Sequence, residues 1–198
     1  MKLKIKEYKE KYQKIWMLPS LLFGIFNLAL GIYSSSVYSV SVAIYYFCLF
    51  VLRLIVNQKI SPKKIYGFYG ALIVLDFALI IPIMMMLLQQ KEINFGLIIA
   101  ITMATYTTYK VVLTVLYIIK NKKSDITQVR MKMLIHIIDS GVSIINLQYA
   151  LIIVNGGFSS REDMAILSLI SSLTIFLIII VFSMLFFKKE RAALKEKR

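Results

Sequence analysis

Six stretches of this chain are each long and apolar enough to cross a lipid bilayer, and that leaves few folds open. They run over about 16–35, 38–57, 66–88, 94–119, 133–154 and 164–187. A helix needs roughly 20 apolar residues to cross a hydrocarbon core roughly 30 Å thick. The expected fold is therefore all-α: a polytopic membrane protein with six transmembrane helices in a single transmembrane domain over 1–198. Composition agrees, with 59% hydrophobic residues where soluble domains hold about 45–50% by a similar count. The basic leader and Ser34, Ser35 and Ser36 give the first stretch some features of a signal peptide. However, its leader and apolar run are long for one and no A-x-A-like cleavage site follows, so a retained helix is expected.

The charges carry the orientation. Net charge is +14, and 20 of the 24 Lys and Arg residues fall in 1–15, 57–65, 120–132 and 188–198. The opposite loops hold only Lys91 and Arg161, while Arg53 and Lys110 lie inside spans. The positive-inside rule then predicts a multi-pass protein of the cell (inner) membrane with N- and C-termini cytoplasmic. No nucleic-acid partner is expected, because no soluble domain remains to present a basic face. In residues 1–15, Ile5, Tyr8, Tyr12 and Ile15 recur at helical spacing among lysines. Such a basic amphipathic segment suits an anionic inner leaflet. The basic tail 188–198 reads as a solvated helix end.

Within the spans, ionisable residues stand out, because a charge near the bilayer centre is costly unless paired or hydrated. Asp76 lies 12 residues past Lys64, about 18 Å deep, and Lys110 lies 10 before Lys120, about 15 Å deep. Asp139 is 7 residues past Lys132, about 10 Å deep. Arg53 and His136 are nearer the interface and read as further network members. The polar residues also form stripes. Span five has His136, Asp139, Ser143 and Asn146, span four has Thr107, Lys110, Thr114 and Tyr117, each at 3–4–3 spacing. Ser20, Gly24, Asn27, Gly31 and Ser34 give span one a narrow small-polar face. These positions predict an Asp76–Lys110–Asp139 cluster with Arg53 beside it. Pro82 predicts a kink beyond Asp76.

The odd-numbered spans can also be laid over one another. FNLALGI at 26–32, LDFALII from 75 and IDSGVSI from 138 place Asn27, Asp76 and Asp139 in register. The pattern predicts three parallel helical-hairpin repeats, one way in which transporters build a central site.

Enzyme chemistry is not expected. One histidine excludes H-E-x-x-H and most other His-ligated zinc sites. No G-x-S-x-G, P-loop or G-x-G-x-x-G occurs. Cys48 is the only cysteine and lies in an apolar run, and Met84, Met85 and Met86 read as packing residues without Cys or His beside them. Hence no metal and no cofactor are predicted.

The phrases AIYYFCLFVLR, TYTTYK and INLQYALI resemble those of small uncharacterised integral membrane proteins of Gram-positive bacteria. That resemblance implies no activity and no site residues. Size and span number are also similar to the substrate-binding subunits of energy-coupling-factor transporters, but span one lacks their spaced alanines. The expected function is a transporter or transport subunit. Asp76 and Asp139 would carry protons or cations, and Lys110 would be their counter-ion or hold an anionic substrate group. Asn27, Thr107, Ser143 and Asn146 would supply neutral hydrogen bonds. The alternative is a non-catalytic partner or assembly subunit of another membrane complex; a homo-oligomer is open in either case.

Overall fold

A computed structural model describes residues 2–58, 62–88, 97–122, 124, 126–154 and 162–196, with side chains over 18–58, 64–85, 97–122, 124, 126–154 and 166–192. Every element among them is a helix: α1 (Lys2–Ser34), α2 (Val37–Asn57), α3 (Pro62–Ala78), α4 (Ile80–Leu88), α5 (Leu97–Asn121), α6 (Thr127–Val154) and α7 (Glu162–Glu196). Five segments are long and apolar enough to cross a membrane: Val37–Asn57, Lys64–Met85, Leu97–Asn121, Thr127–Val154 and Ile166–Ala192. Leu18–Ser34 is a shorter apolar helix that continues without a break into the rest of α1. The fold is thus that of a polytopic helical membrane protein. The side chains of the amphipathic segment 1–15 lie outside the described residues, as does that of Trp16.

Polarity is inverted relative to a soluble bundle, which is what lipid requires. The buried residues of α5 are Ala100, Met103, Thr107, Lys110 and Thr114, whereas Ile98, Ile101, Val112, Val115, Leu116 and Ile119 are exposed. The spacing of that buried face is the 3–4 stripe read from the sequence.

Helix α2 packs against α1, α3, α4 and α6, while α6 packs against α2, α5 and α7, and α7 also meets α3 and α4. The spans therefore form two rows of three, α1, α2 and α3–α4 in one, α5, α6 and α7 in the other. Between the rows α2 meets α6 and α3–α4 meets α7. At the third position Phe23 of α1 stacks on Tyr106 of α5, with ring centroids 3.7 Å apart and planes 5° from parallel. This differs from the predicted three parallel hairpins. The third and fourth spans do not pair, because α3 and α4 lie on α2 and α7 and α5 lies on α6.

Local chemistry explains two of the junctions. Ser35 has φ 52°, and Ser36 N–H donates to Gly31 C=O at 2.9 Å while Ser35 N–H donates to Ile32 C=O at 3.4 Å. That double return closes α1 as a Schellman motif. Ser36 then caps α2, its side chain accepting from Ser39 N–H, so two residues join the helices. Close approach follows on the small face of α1, where a Cβ on Gly31 would stand 2.6 Å from Val40 Cγ2 and 2.9 Å from Val40 N. The third span is interrupted at Leu79, between α3 and α4. Pro82 has no N–H for the carbonyl of Ala78 and its ring crowds that carbonyl, which accounts for the interruption one turn before the proline.

Trp16, Tyr33, Tyr38, Tyr66 and Tyr117 lie near the predicted span ends, where aromatic residues form interfacial belts, and that expectation is only partly realised. Tyr33 and Tyr66 are exposed, but Tyr38 is fully buried with its ring 3.7 Å from that of Tyr149. Replacing Gly31 by Ala is expected to destabilise the protein by about 1–3 kcal/mol through overpacking against the α2 backbone. Gly67→Ala, where a Cβ meets nothing within 4 Å, should be neutral or stabilising by up to about 1 kcal/mol. Thermal melting of both variants in detergent checks the contrast.

Candidate functional site: a buried ion-pair cluster on Asp139

Helices α5 and α6 meet in antiparallel register through the two stripes predicted from spacing. Thr107 Oγ1 donates to the carbonyl of Ser143 at 3.0 Å. One turn on, Lys110 Nζ donates to Asp139 Oδ2 at 2.6 Å. Thr114 Oγ1 then donates to the carbonyl of His136 at 3.0 Å. The charged pair is thus the middle rung of a polar zipper.

Two further helices converge on the same carboxylate oxygen. Arg53 of α2 forms a close ion pair with Asp139 Oδ2 through its NH2 group, and its NH1 donates to Ser20 Oγ of α1 at 2.7 Å. Lys110 Nζ donates to Ser20 Oγ at 2.5 Å, and Ser20 Oγ donates to Asp139 Oδ2 at 3.1 Å. Lys110 Nζ also lies 5.2 Å from the centre of the Tyr106 ring, a distance at which the ring face attracts a cation. All four polar members are buried: Ser20 and Asp139 at 0% exposure, Lys110 at 3% and Arg53 at 7%. Asp139 Oδ1 accepts from no described residue.

Seven residues along both helices, Asn146 Nδ2 of α6 donates to Asn27 Oδ1 of α1 at 3.1 Å. The equal offset of Ser20–Asp139 and Asn27–Asn146 means that α1 and α6 run parallel across the interior, the second contact about 10 Å further along. Asn27 Nδ2 donates to Phe23 C=O at 2.8 Å, whereas Asn146 Oδ1 is buried with no hydrogen-bond partner among the described residues.

The chain matches no family model, no curated protein and no solved structure.

The structure brings Asp139, Lys110 and Arg53 together as the sequence suggested, but it corrects the membership of Asp76. That residue faces α7, where Ser183 Oγ donates to Asp76 Oδ2 at 2.6 Å. The rotation of α3 between α2 and α7 decides this, and hydropathy does not report rotation. Thr107 and Ser143 are in the zipper, yet their hydroxyl hydrogens are committed to backbone: Thr107 to α6 and Ser143 to Ser140 C=O at 2.8 Å. Of the neutral candidates, Asn146 is the one with a buried side-chain acceptor that has no described partner. His136 stands at the edge, half-buried, its ring 4.7 Å from that of Tyr117.

A second buried ion pair was missed. Arg130 donates to Glu190 Oε2 through Nε at 2.9 Å and NH2 at 2.5 Å, and Thr127 Oγ1 donates to Glu190 Oε1 at 2.6 Å. Arg130 was counted with a basic loop and Glu190 with the solvated tail; both are instead buried between α6 and α7. A signal existed. Ser168, Ser172, Phe176, Ile179 and Ser183 are the buried face of α7, and Glu190 continues that face two turns beyond Ser183.

Two cations share one carboxylate, so the variants should not be equivalent. Asp139→Asn leaves two buried cations uncompensated and should cost about 3–5 kcal/mol. Lys110→Met leaves a balanced Arg53–Asp139 pair and should cost clearly less. Lys110→Met should also partly rescue Asp139→Asn, whereas its effect should be additive with that of Asp76→Asn. Unfolding of the single and double variants in detergent gives each coupling energy directly.

Proposed function

We propose that this integral membrane protein is a small transporter or transport subunit for a solute carrying an anionic group. The observation that carries the reading is the excess charge of the cluster: Arg53 and Lys110 against Asp139 alone, buried where an unbalanced charge is costly. A solute carboxylate or phosphate would exchange with Asp139 for the two cations. Tyr106 and Phe23, stacked beside Lys110, would give the apolar part of such a solute a flat wall. Because all the contacts fall on one carboxylate oxygen and one hydroxyl, exchange would loosen α1, α2, α5 and α6 together. That is a way to couple binding to helix movement.

The two-row packing supports the same reading. Consecutive spans alternate in direction, so each row of three faces a row of opposite sense. Inverted arrangements of this type are one basis for alternating access around a central site. The loop counts of Lys and Arg support a cell-membrane location with both termini cytoplasmic. No catalysis is part of this reading.

Purified protein melted in detergent with small organic anions, cations and neutral solutes provides the test. Certain anions should raise the melting temperature of the wild type, on the order of 5–10 °C at about a hundred times Kd. Lys110→Met, still folded, should lose that response. A response to cations or neutral solutes only, or an unchanged response in Lys110→Met, would contradict the proposal.

A further inference from the structure

Asp76 is an ionisable group that the Asp139 cluster leaves unused, and its surroundings differ in kind. It is fully buried. Ser183 Oγ is its one described hydrogen-bond donor, and Oδ1 accepts from no described residue. The ion pairs of Arg53 and Lys110 go to Asp139 and that of Arg130 goes to Glu190, so no described cation is paired with Asp76. A carboxylate held this way lacks a counter-ion and has one described donor for its two oxygens, and in an apolar interior each shortfall is costly.

The elements around it supply acceptors instead. From α2, the buried Tyr45 hydroxyl has no hydrogen-bond partner among the described residues and lies within electrostatic reach of Asp76 and of Asp139. From α7 comes Ser183, with apolar Ile179 and Phe176 further along the same buried face. Helix α4 contributes no titratable side chain. On α3 itself, Tyr69 lies two turns away, within reach of Glu190 and Arg130. Within the same span the Ala78 carbonyl has lost the donor that Pro82 does not provide. A proton meets both needs at once, since it removes the charge and turns one carboxyl oxygen into a donor for an acceptor beside it.

We propose that Asp76 is a proton-binding site, with Ser183 holding Oδ2 and the exchangeable proton on Oδ1 beside the break in the third span. Asp76 and Ser183 lie on α3 and α7 and are not members of the Asp139 cluster, so this site does not depend on the proposal made for Asp139.

Melting curves of wild type and Asp76→Asn in sodium-free buffer, from about pH 3.5, below the ordinary pKa of an unfolded Asp, to about pH 9, test it. Stability that depends on a bound proton is present at acid pH and lost as pH rises. The two proteins should coincide at the acid end. Toward the alkaline end the wild type should fall below Asp76→Asn by at least a few degrees. Parallel profiles would overturn the proposal. So would recovery of the wild type at alkaline pH on adding sodium, which would assign the carboxylate to a metal cation. Should Asp76→Asn not fold, Ser183→Ala carries the test. It removes a donor that holds the charged form more strongly than the neutral one, so it should cost more stability at the alkaline end than at the acid end. An equal loss at every pH would overturn the proposal.

Discussion

Asp139 is fully buried in the middle of α6, and a carboxylate there is tolerable only with cations and donors brought to it. Ser20, Arg53 and Lys110 meet that requirement from three other helices. The constraint therefore reaches well beyond one residue: it fixes the rotation of α1, α2, α5 and α6 about their axes. Apolar packing in lipid would do this only weakly, since side chains that face lipid and side chains that face a neighbouring helix are chemically alike. The neutral rungs on either side of Lys110–Asp139 then hold the register of α5 against α6.

The small residues of α1 serve the same arrangement. Gly24 and Gly31 face α2 without side chains of their own, a Cβ on Gly24 standing 3.3 Å from Tyr46 Cβ. Close approach of α1 to α2 keeps Ser20 within hydrogen-bonding distance of Arg53. At the other side of the molecule Arg130–Glu190 ties α6 to α7, and Gln128 Nε2 donates to the carbonyls of Val56 at 3.1 Å and Gln58 at 2.8 Å at the end of α2. Two networks thus hold α2, α6 and α7 at different heights.

The number and order of the helices were legible in the sequence because lipid imposes length and hydropathy on every span. The faces of α5 and α6 were legible as well, since in lipid a polar 3–4 repeat has only the interior to turn to. The rotation of α3 was not. Leucine, isoleucine and valine surround Asp76 on nearly every side of its helix, so nothing in the pattern distinguished a face toward α5 from one toward α7. The apparent repeat of the odd spans did not predict which helices pack together. Arg130 and Glu190 escaped notice because charges next to basic loops look solvated until a partner at matching height is known. Ser20 was seen as a small residue for packing, and its role as the polar bridge between two cations required the positions of α2 and α5.

The meeting of Lys110 and Asp139 inside the bundle is the contact on which the arrangement of the helices depends. Solid-state NMR of the labelled protein in lipid bilayers measures that contact directly, as a through-space correlation between Lys110 Nζ and the Asp139 carboxyl carbon. Their 2.6 Å hydrogen bond predicts a strong correlation that vanishes in Asp139→Asn, and none from Lys110 to Asp76. A correlation of Lys110 with Asp76, or no carboxyl within reach of Nζ, would contradict it.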